Sequence, residues 1–419
     1  MSTDVETPSI PDTLIRSWAE RGVSSDGLDR APLRTTLRAD DVEPRSDAVD
    51  EALSVDHDVE LGAVLGEGGM GVVHEARQRS LDRDVAVKRV RDLASLDDGA
   101  RRLLREARVT GGLEHPNVVP IHLLGRDATG QPLIVMKRVE GRAWSELLAG
   151  RTREARLGED ELRRHLSIVV AVARAAHFAH TRGVLHRDIK PDNVMVGSFG
   201  EVYLVDWGLA VGLDRSVAGI PLASSVRRIE GTPVYMAPEM ACADGAQLDA
   251  RTDVYLLGAS LHEIVTGDPP HLAPTVGAAV THAFVSDVPA DAVGVPRQLW
   301  QIVQRAMARD RAARFATAAD LADAIESYLV RRGSHLLAEV ASERAAKLER
   351  ARSASEPALE AVRAAFHEAR FAFEQSLAHW PENAAAREGL RAAITTMIEL
   401  ELRAGAPEVA LALLPALDP

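Results

Sequence analysis

The sequence predicts an α+β chain folded as two lobes, a small β-rich lobe and then a larger helical one, followed by an all-α C-terminal extension. Three observations carry this. Between 58 and about 140, β-branched runs of strand length alternate with glycine and charged turns. After Glu140-Gly141, apolar residues recur at steps of three and four. From 334 to 419, Ala, Leu, Glu and Arg dominate and the segment reads as helical throughout. The chain has 419 residues, 46% hydrophobic and 26% charged, enough for two or three domains of roughly 100–200 residues. The expected divisions are a mostly disordered segment 1–57, a two-lobed domain 58–333 (lobes about 58–140 and 141–333), a helical linker 334–356 and a helical region 357–419.

Residues 1–57 are rich in Asp, Glu, Arg, Ser and Pro. Such a segment buries too little apolar surface to offset its ordering entropy, although 13–20 could form a short amphipathic helix. Residues 59–65 and 72–76 read as strands around a glycine loop. A third strand, 84–90, alternates Val85, Val87 and Arg89 against Ala86, Lys88 and Val90. Residues 97–112 read as a helix that Gly111-Gly112 stops, and 118–124 and 133–136 as two more strands. In 161–181, Leu162, Leu166, Val169, Ala173 and Ala176 fall on one helix face, closed by Gly183. Further helices are predicted at 252–266, 298–309 and 318–331. A β lobe followed by a helical lobe leaves a cleft between them, a usual place for a ligand.

The formal net charge is −13, which argues against general nucleic-acid binding, since that requires a basic face. The single cysteine, Cys242, excludes an intrachain disulfide and suits a reducing, cytoplasmic setting. Met1-Ser2-Thr3-Asp4 does not open a signal peptide. No segment approaches the roughly 18 consecutive apolar residues of a membrane-spanning helix.

Gly66-Glu67-Gly68-Gly69-Met70-Gly71 fits G-x-G-x-x-G. Alone, this pattern is equally a set of tight turns. Its downstream neighbours separate the readings. A dinucleotide-binding loop opens a helix and meets an acidic residue about twenty positions on. Here Val72-Val73 favours a strand, and the residue that waits downstream is Lys88, a cation suited to phosphate. No G-x-x-x-x-G-K-[ST] string occurs.

With Val85-Ala86-Val87-Lys88 in place, the sequence resembles the protein kinase family, over about 58 to 332. The motifs stand in the family's order: Leu185-His186-Arg187-Asp188-Ile189-Lys190-Pro191-Asp192-Asn193 resembles the catalytic loop, Asp206-Trp207-Gly208 the metal-binding triplet, and Gly231-Thr232-Pro233 with Ala237-Pro238-Glu239 the end of the activation segment. Asp253 and Arg314 resemble structural anchors of the helical lobe. The resemblance implies the two-lobed protein kinase fold and a bacterial-type, eukaryotic-like serine/threonine kinase using ATP and Mg²⁺. Catalytic roles fall to Asp188, which orients the acceptor hydroxyl, Lys190, which steadies the transferred phosphate, Lys88 on the other phosphates, and Glu106, which holds Lys88. A carboxylate is a weak base at neutral pH, so orientation is the larger part of the role of Asp188. Asn193 and Asp206 would supply oxygen to the metal. Leu65, Gly66, Glu67, Gly68, Gly69, Met70, Gly71, Val73, Ala86, Lys88, Met136, Lys137, Val139, Asn193 and Asp206 would line the nucleotide, with Met136 behind the adenine and backbone groups of Lys137 and Val139 on its edge. His186 is structural by the same resemblance. The sequence departs at Trp207, where most members carry Phe.

Lys190 and Thr232 resemble the serine/threonine branch, so protein Ser/Thr hydroxyls are the expected acceptors. Arg187 precedes Asp188, and in the family such an arginine can bind a phosphorylated activation segment. Ser216, Ser224, Ser225 and Thr232 lie in that segment, and autophosphorylation is expected at Ser224 or Ser225. The alternative is a pseudokinase scaffold that acts by protein binding. Loss of Lys88, Asp188 or Asp206 would favour it, and all three are present. In the extension, Ala369, Phe373, Ser376, Leu377 and Pro381 fit the second helix of a tetratricopeptide repeat, with another helix pair through Leu390, Ile394 and Ile398 and then 409–414. This would serve to dock a protein partner. The other reading is a plain helical hairpin. No feature fixes an oligomeric state.

Overall fold

A computed structural model of the chain describes residues 10–21, 23, 33, 34, 36, 37, 53–55, 57–68, 71–90, 96–149, 157–215, 219–352 and 359–417. The chain divides into two compact units, 1–324 and 325–419.

The first unit begins with helix α1 (Asp12–Glu20). Strands β1 (Leu53–Ser54), β2 (Val59–Gly68), β3 (Gly71–Gln78), β4 (Arg83–Arg89), β5 (Ile121–Arg126) and β6 (Pro132–Lys137) come next, with helix α2 (Leu96–Gly111) between β4 and β5. They form one six-stranded sheet in the order β1-β5-β6-β4-β3-β2. The five expected strands are all present. The sixth, β1, has two residues, too few to show any periodicity. Side chains alternate across a strand, and that splits β4 cleanly. Val85 and Val87 pack with Leu133 and Val135 on one face. Ala86 and Lys88 lie opposite Met136 and Ile134 of β6, on the face where Ile134 packs against Leu103 and Ala107 of α2. The pattern that makes β4 a strand therefore delivers Lys88 to the helix side.

The helical lobe contains β7 (Gly141–Ala143), α3 (Trp144–Leu148), α4 (Glu159–Thr181), β8 (Val184–Leu185), β9 (Val194–Gly197), β10 (Val202–Leu204), β11 (Val211–Gly212), α5 (Pro238–Ala241), α6 (Ala250–Thr266), α7 (Val276–Val285) and α8 (Arg297–Ala306). The first turns of α9 (Ala318–Arg352) complete it. Two small sheets, β10-β9-β7 and β11-β8, hold the loops between α4 and α5. On α4, Leu166, Val169, Val172, Ala173 and Ala176 are fully buried. Helix α6 opens with a capping box between Asp249 and Thr252 and closes at Gly267, whose φ is 90°. Helix α7 has no counterpart among the sequence expectations. Val276, Ala279, Val280 and Ala283 are all buried, so it lacks the polar face that marks an amphipathic helix.

Residues 1–57 are expected to be mostly disordered, with a short amphipathic helix around 13–20. Most of that segment lies outside the described residues, but α1 is built and docked: Leu14 and Trp18 are buried, and the Trp18 indole N–H donates to the Ala241 carbonyl at 2.7 Å. Two apolar residues one turn apart are enough to seat a helix on a neighbour, although too few to offset the polar composition around them. The segment 334–356, expected as a helical linker, is described as far as 352 and is helical there. Ala338, Ala341 and Leu348 are buried in one core with Val362, Phe366, Phe373, Ile394 and Met397, so the segment is part of the second unit. Its alanines conceal a packing face because they make close approach possible without bulk. The division at 324/325 accordingly precedes the expected one at 333/334.

In the second unit α9 is followed by α10 (Leu359–His379), α11 (Ala384–Arg403) and α12 (Pro407–Leu413). The Gly389 Cα faces the Phe373 ring so closely that an added Cβ would lie 2.4 Å from it. Ser334, Ser376 and Asn383 are fully buried and bond to one another, Asn383 Nδ2 donating to Ser334 Oγ at 2.8 Å. Among the described residues, no helix is long and apolar enough to cross a membrane.

Candidate active site

Lys88 is 7% exposed and Glu106 6% exposed. The Lys88 ammonium donates to both Glu106 oxygens, at 2.6 and 2.7 Å, and lies 3.6 Å from Asp206 Oδ1. Glu106 is the carboxylate expected from its place on α2, and the structure pairs it with Lys88 across the strand–helix packing. A buried ammonium is costly unless it is paired, and the bidentate contact fixes both its charge and its position. Val73 stands opposite Lys88, and Glu67 opposite Val72, in the β2–β3–β4 ladder. Gly66 and Gly68 are in the β2–β3 turn region, while Gly69 and Met70 lie outside the described residues. Gly71 sits against β4 so tightly that a Cβ would meet the Arg89 carbonyl oxygen at 2.0 Å, which reserves the position for glycine. Leu65 is half exposed at this edge. Met136 stands opposite Ala86 and packs with the α2 cluster. The Lys137 N–H is committed to the Pro120 carbonyl at 3.0 Å.

The catalytic-loop residues converge below. Asp253, fully buried, accepts the backbone N–H of both His186 and Arg187 at 2.9 Å and a bond from His180 Nε2 at 2.8 Å. Burial works to raise the Asp253 carboxyl, yet the bonds from His180 and His186 bring it below its ordinary value. This clamp helps hold Arg187 at φ 68°, and Asp206 stands at φ 63°. Both are left-handed conformations that cost a residue with a side chain about 1–3 kcal/mol and that cluster where chemistry needs a fixed aim. Burial also lowers the His186 pKa and keeps the imidazole neutral. Its Nδ1 accepts the Asp188 N–H at 3.2 Å, so its Nε2 carries the proton facing the Val205 carbonyl at 3.2 Å. Both nitrogens are engaged in shaping the loop, which is the structural role expected.

Asp188, 3% exposed, is surrounded by donors. Thr232 Oγ1 donates to its Oδ1 at 2.7 Å, and Asn193 Nδ2 to its Oδ2 at 2.9 Å and to its carbonyl at 2.7 Å. Lys190 Nζ is 3.2 Å from Oδ2 and donates to Thr232 Oγ1 at 2.6 Å. The two acceptors that face the Asn193 nitrogen set the amide's orientation, leaving its Oδ1 as an oxygen donor for a cation. With the Asp206 carboxylate this makes two hard oxygen ligands. Among the described residues no three His, Cys, Asp or Glu side chains gather as a metal cage. That donor set suits Mg²⁺, which takes one or two protein oxygens and fills its shell with phosphate and water. The residues present therefore fit the ion.

Trp207 is fully buried, its ring 4.6 Å from that of His186. The pocket thus accommodates the larger indole. Arg187, 2% exposed, donates to Glu230 Oε2 at 3.0 Å and to the Leu209 carbonyl at 3.3 Å. Sequence reasoning misses Glu230: a glutamate in a loop carries no signal of the arginine it meets. Ser224 and Ser225 are exposed; Ser216 lies outside the described residues. Glu239 and Arg314 form a fully buried ion pair at 2.8 and 2.9 Å. Thr232, a branch marker in the sequence, stands within the Asp188–Lys190 cluster. One further residue escapes sequence reasoning entirely: the Thr36 hydroxyl reaches both Asp188 and Lys190.

Comparison with known proteins identifies the family. Residues 59–321 match the family model for the protein kinase domain. The chain is 35% identical over 283 residues to the probable serine/threonine-protein kinase PknB of Bifidobacterium longum, covering 64% of this chain and 39% of that protein. It is 35% identical over 269 residues to serine/threonine-protein kinase PknB of Mycobacterium leprae, covering 62% and 41%, and 36% identical over 267 residues to serine/threonine-protein kinase PknH of Mycobacterium bovis, covering 62% and 42%. The chain thus spans about two fifths of the length of these relatives. Among solved structures, the PknI kinase domain of Mycobacterium tuberculosis aligns with a TM-score of 0.46 at 28% identity, over 64% of this chain and 96% of that one. With the motifs in order, their side chains convergent and more than half of its length matched, the chain belongs to the protein kinase domain family.

Proposed function

We propose that the chain is an active protein serine/threonine kinase, transferring the γ-phosphoryl group of ATP, with Mg²⁺, to hydroxyls of protein substrates. The observation that carries this is the convergence of Lys88, Glu106 and Asp206 on one side and Asp188, Lys190 and Asn193 on the other. The nucleotide and its metal, when bound, supply the transferable group and the positive charge that offsets charge developing on it. The protein's part is positioning and electrostatics. Glu106 holds the Lys88 ammonium ready for phosphate. Asp206 and Asn193 offer the oxygens for the metal. Asp188 accepts the hydrogen bond of the acceptor hydroxyl and orients it, while Lys190, within reach of the same hydroxyl, offsets negative charge. Behind the adenine, Met136 closes the pocket, and the Lys137 carbonyl and Val139 N–H would meet its edge.

The Arg187–Glu230 pair supports an activation segment held without a phosphate: a carboxylate stands where a phosphate would bind the arginine. Phosphorylation of Ser224 or Ser225 is then dispensable for engaging Arg187. In the second unit the α10–α11 hairpin, with Phe371 and Leu402 exposed, supports a tetratricopeptide-like docking role. The test is incorporation of label from γ-labelled ATP into a basic protein. Wild type should label it, and Asp188→Asn and Lys88→Met should each lose at least about 100-fold. Equal labelling by all three would contradict the mechanism.

A further inference from the structure

Arg34, Thr36 and Leu37 stand in the place of a peptide substrate. The Thr36 hydroxyl donates to Asp188 Oδ2 at 2.8 Å and accepts from Lys190 Nζ at 2.7 Å, the two contacts a phosphoacceptor requires. Leu37 pairs with Gly231 by two backbone bonds, its N–H to the Gly231 carbonyl at 2.7 Å and the Gly231 N–H to its carbonyl at 3.0 Å. This bridge ties the chain antiparallel to the end of the activation segment, one residue beyond the hydroxyl. Gly231 has φ 117°, and a Cβ there would lie 2.6 Å from Met240 Cε, so the edge that receives Leu37 depends on glycine. Two residues before the hydroxyl, Arg34 donates to Glu263 Oε1 at 2.6 Å and to the Tyr235 hydroxyl at 3.1 Å. Tyr235 in turn donates to Glu263 Oε2 at 2.6 Å, so a nearly buried carboxylate is built to receive that arginine. Three separate contacts, a cation before, a hydroxyl in the centre and a backbone bridge after, hold Arg34, Thr36 and Leu37 in one register.

We propose that Thr36 is an intramolecular phosphorylation site, and that the channel selects acceptors with arginine two residues before the hydroxyl. The proposal rests on the kinase reading above. In the step, Thr36 Oγ attacks the γ-phosphorus of ATP. The new O–P bond forms as the bond from that phosphorus to the β–γ bridging oxygen breaks, ADP leaves with that electron pair, and the hydroxyl proton passes to the Asp188 carboxylate and then to solvent. The product phosphothreonine carries about −1.5 to −2 charge at pH 7 beside Asp188, and repulsion ejects the segment from the channel, which opens it to other substrates.

The experiment uses the full chain, freed of phosphate and incubated with Mg²⁺ and ATP. Phosphopeptide mapping is done in parallel with labelling of an added basic protein. Phosphate at Thr36, persisting in Thr35→Ala and lost in Thr36→Ala, with a per-molecule initial rate unchanged on tenfold dilution, is the expected result. Arg34→Ala should slow that rate. Enzyme that labels the added protein yet leaves Thr36 bare overturns the proposal and leaves the kinase reading standing. A per-molecule rate that falls in proportion to dilution also overturns it, since the transfer is then between molecules. Enzyme that labels neither removes the kinase reading, and this proposal with it.

Discussion

At the scale of single residues, the site is a set of charges made tolerable by their partners. Lys88 is stabilised in a buried position by Glu106, which grips it with both oxygens. Glu106→Gln keeps the shape and removes the charge. We expect kcat/KM for ATP-dependent labelling to fall by about 10²-fold, with the far-ultraviolet circular dichroism unchanged; activity within about twofold of wild type would contradict the role of the pair. Arg187 and Glu230 make a second such pair. Glu230→Ala should lower activity, and Glu230→Asp should retain more of it, in the same assay. Lys88, Asp188, Asn193 and Asp206 stand out in the sequence because their short motifs resemble those of the protein kinase family. Thr36 and Glu230 do not. Thr36 meets Asp188 across 152 residues of chain, and a threonine has no local feature that foretells such a contact.

At the scale of elements, packing decides signs that propensity alone would give wrongly. Alanine is favoured over glycine inside a helix by about 1 kcal/mol, which predicts that Gly389→Ala stabilises α11. The structure predicts the reverse. The added Cβ would lie 2.4 Å from a ring carbon of Phe373, itself fully buried, and such overpacking costs about 1–3 kcal/mol. A urea titration of the full chain should show the second unit unfolding earlier in this variant; later unfolding would refute the packing account. Arg314 gives the complementary case. Replacing it with leucine strands the Glu239 carboxylate, 4% exposed, and should destabilise the first unit by about 3–5 kcal/mol, read from the denaturant midpoint. Helix α4 is readable because it buries one face and exposes its period. Helix α7, buried along most of its length, and the alanine-lined part of α9 are not, because in them the periodic contrast is weak.

At the scale of the whole molecule, stability is linked to pH through buried histidine. Burial pushes His271 down to about 3, with the charges of His262 and His282 acting in the same direction. Its folded pKa lies below its unfolded value of 6.5, so the folded state binds fewer protons than the unfolded chain between these values. The stabilisation is therefore present above 6.5 and is lost as pH falls below it, by about 1.4 kcal/mol per unit. Urea midpoints at about pH 7.5 and about pH 5.5 should show this loss, and His271→Gln should show a smaller one. The two-lobe architecture and the order of its motifs are legible from the sequence, since each motif is local; the placement of the N-terminal segment against the helical lobe is not, because it depends on a few long-range contacts. The central claim is that one cleft grips a triphosphate between the Lys88 ammonium and metal held by Asp206 and Asn193. Calorimetric titration of the full chain with ATP, with and without Mg²⁺, tests it most directly. The account predicts saturable binding that Mg²⁺ strengthens, with the Mg²⁺ effect lost in Asp206→Asn; binding that is absent, or indifferent to Mg²⁺ in the wild type, would contradict it.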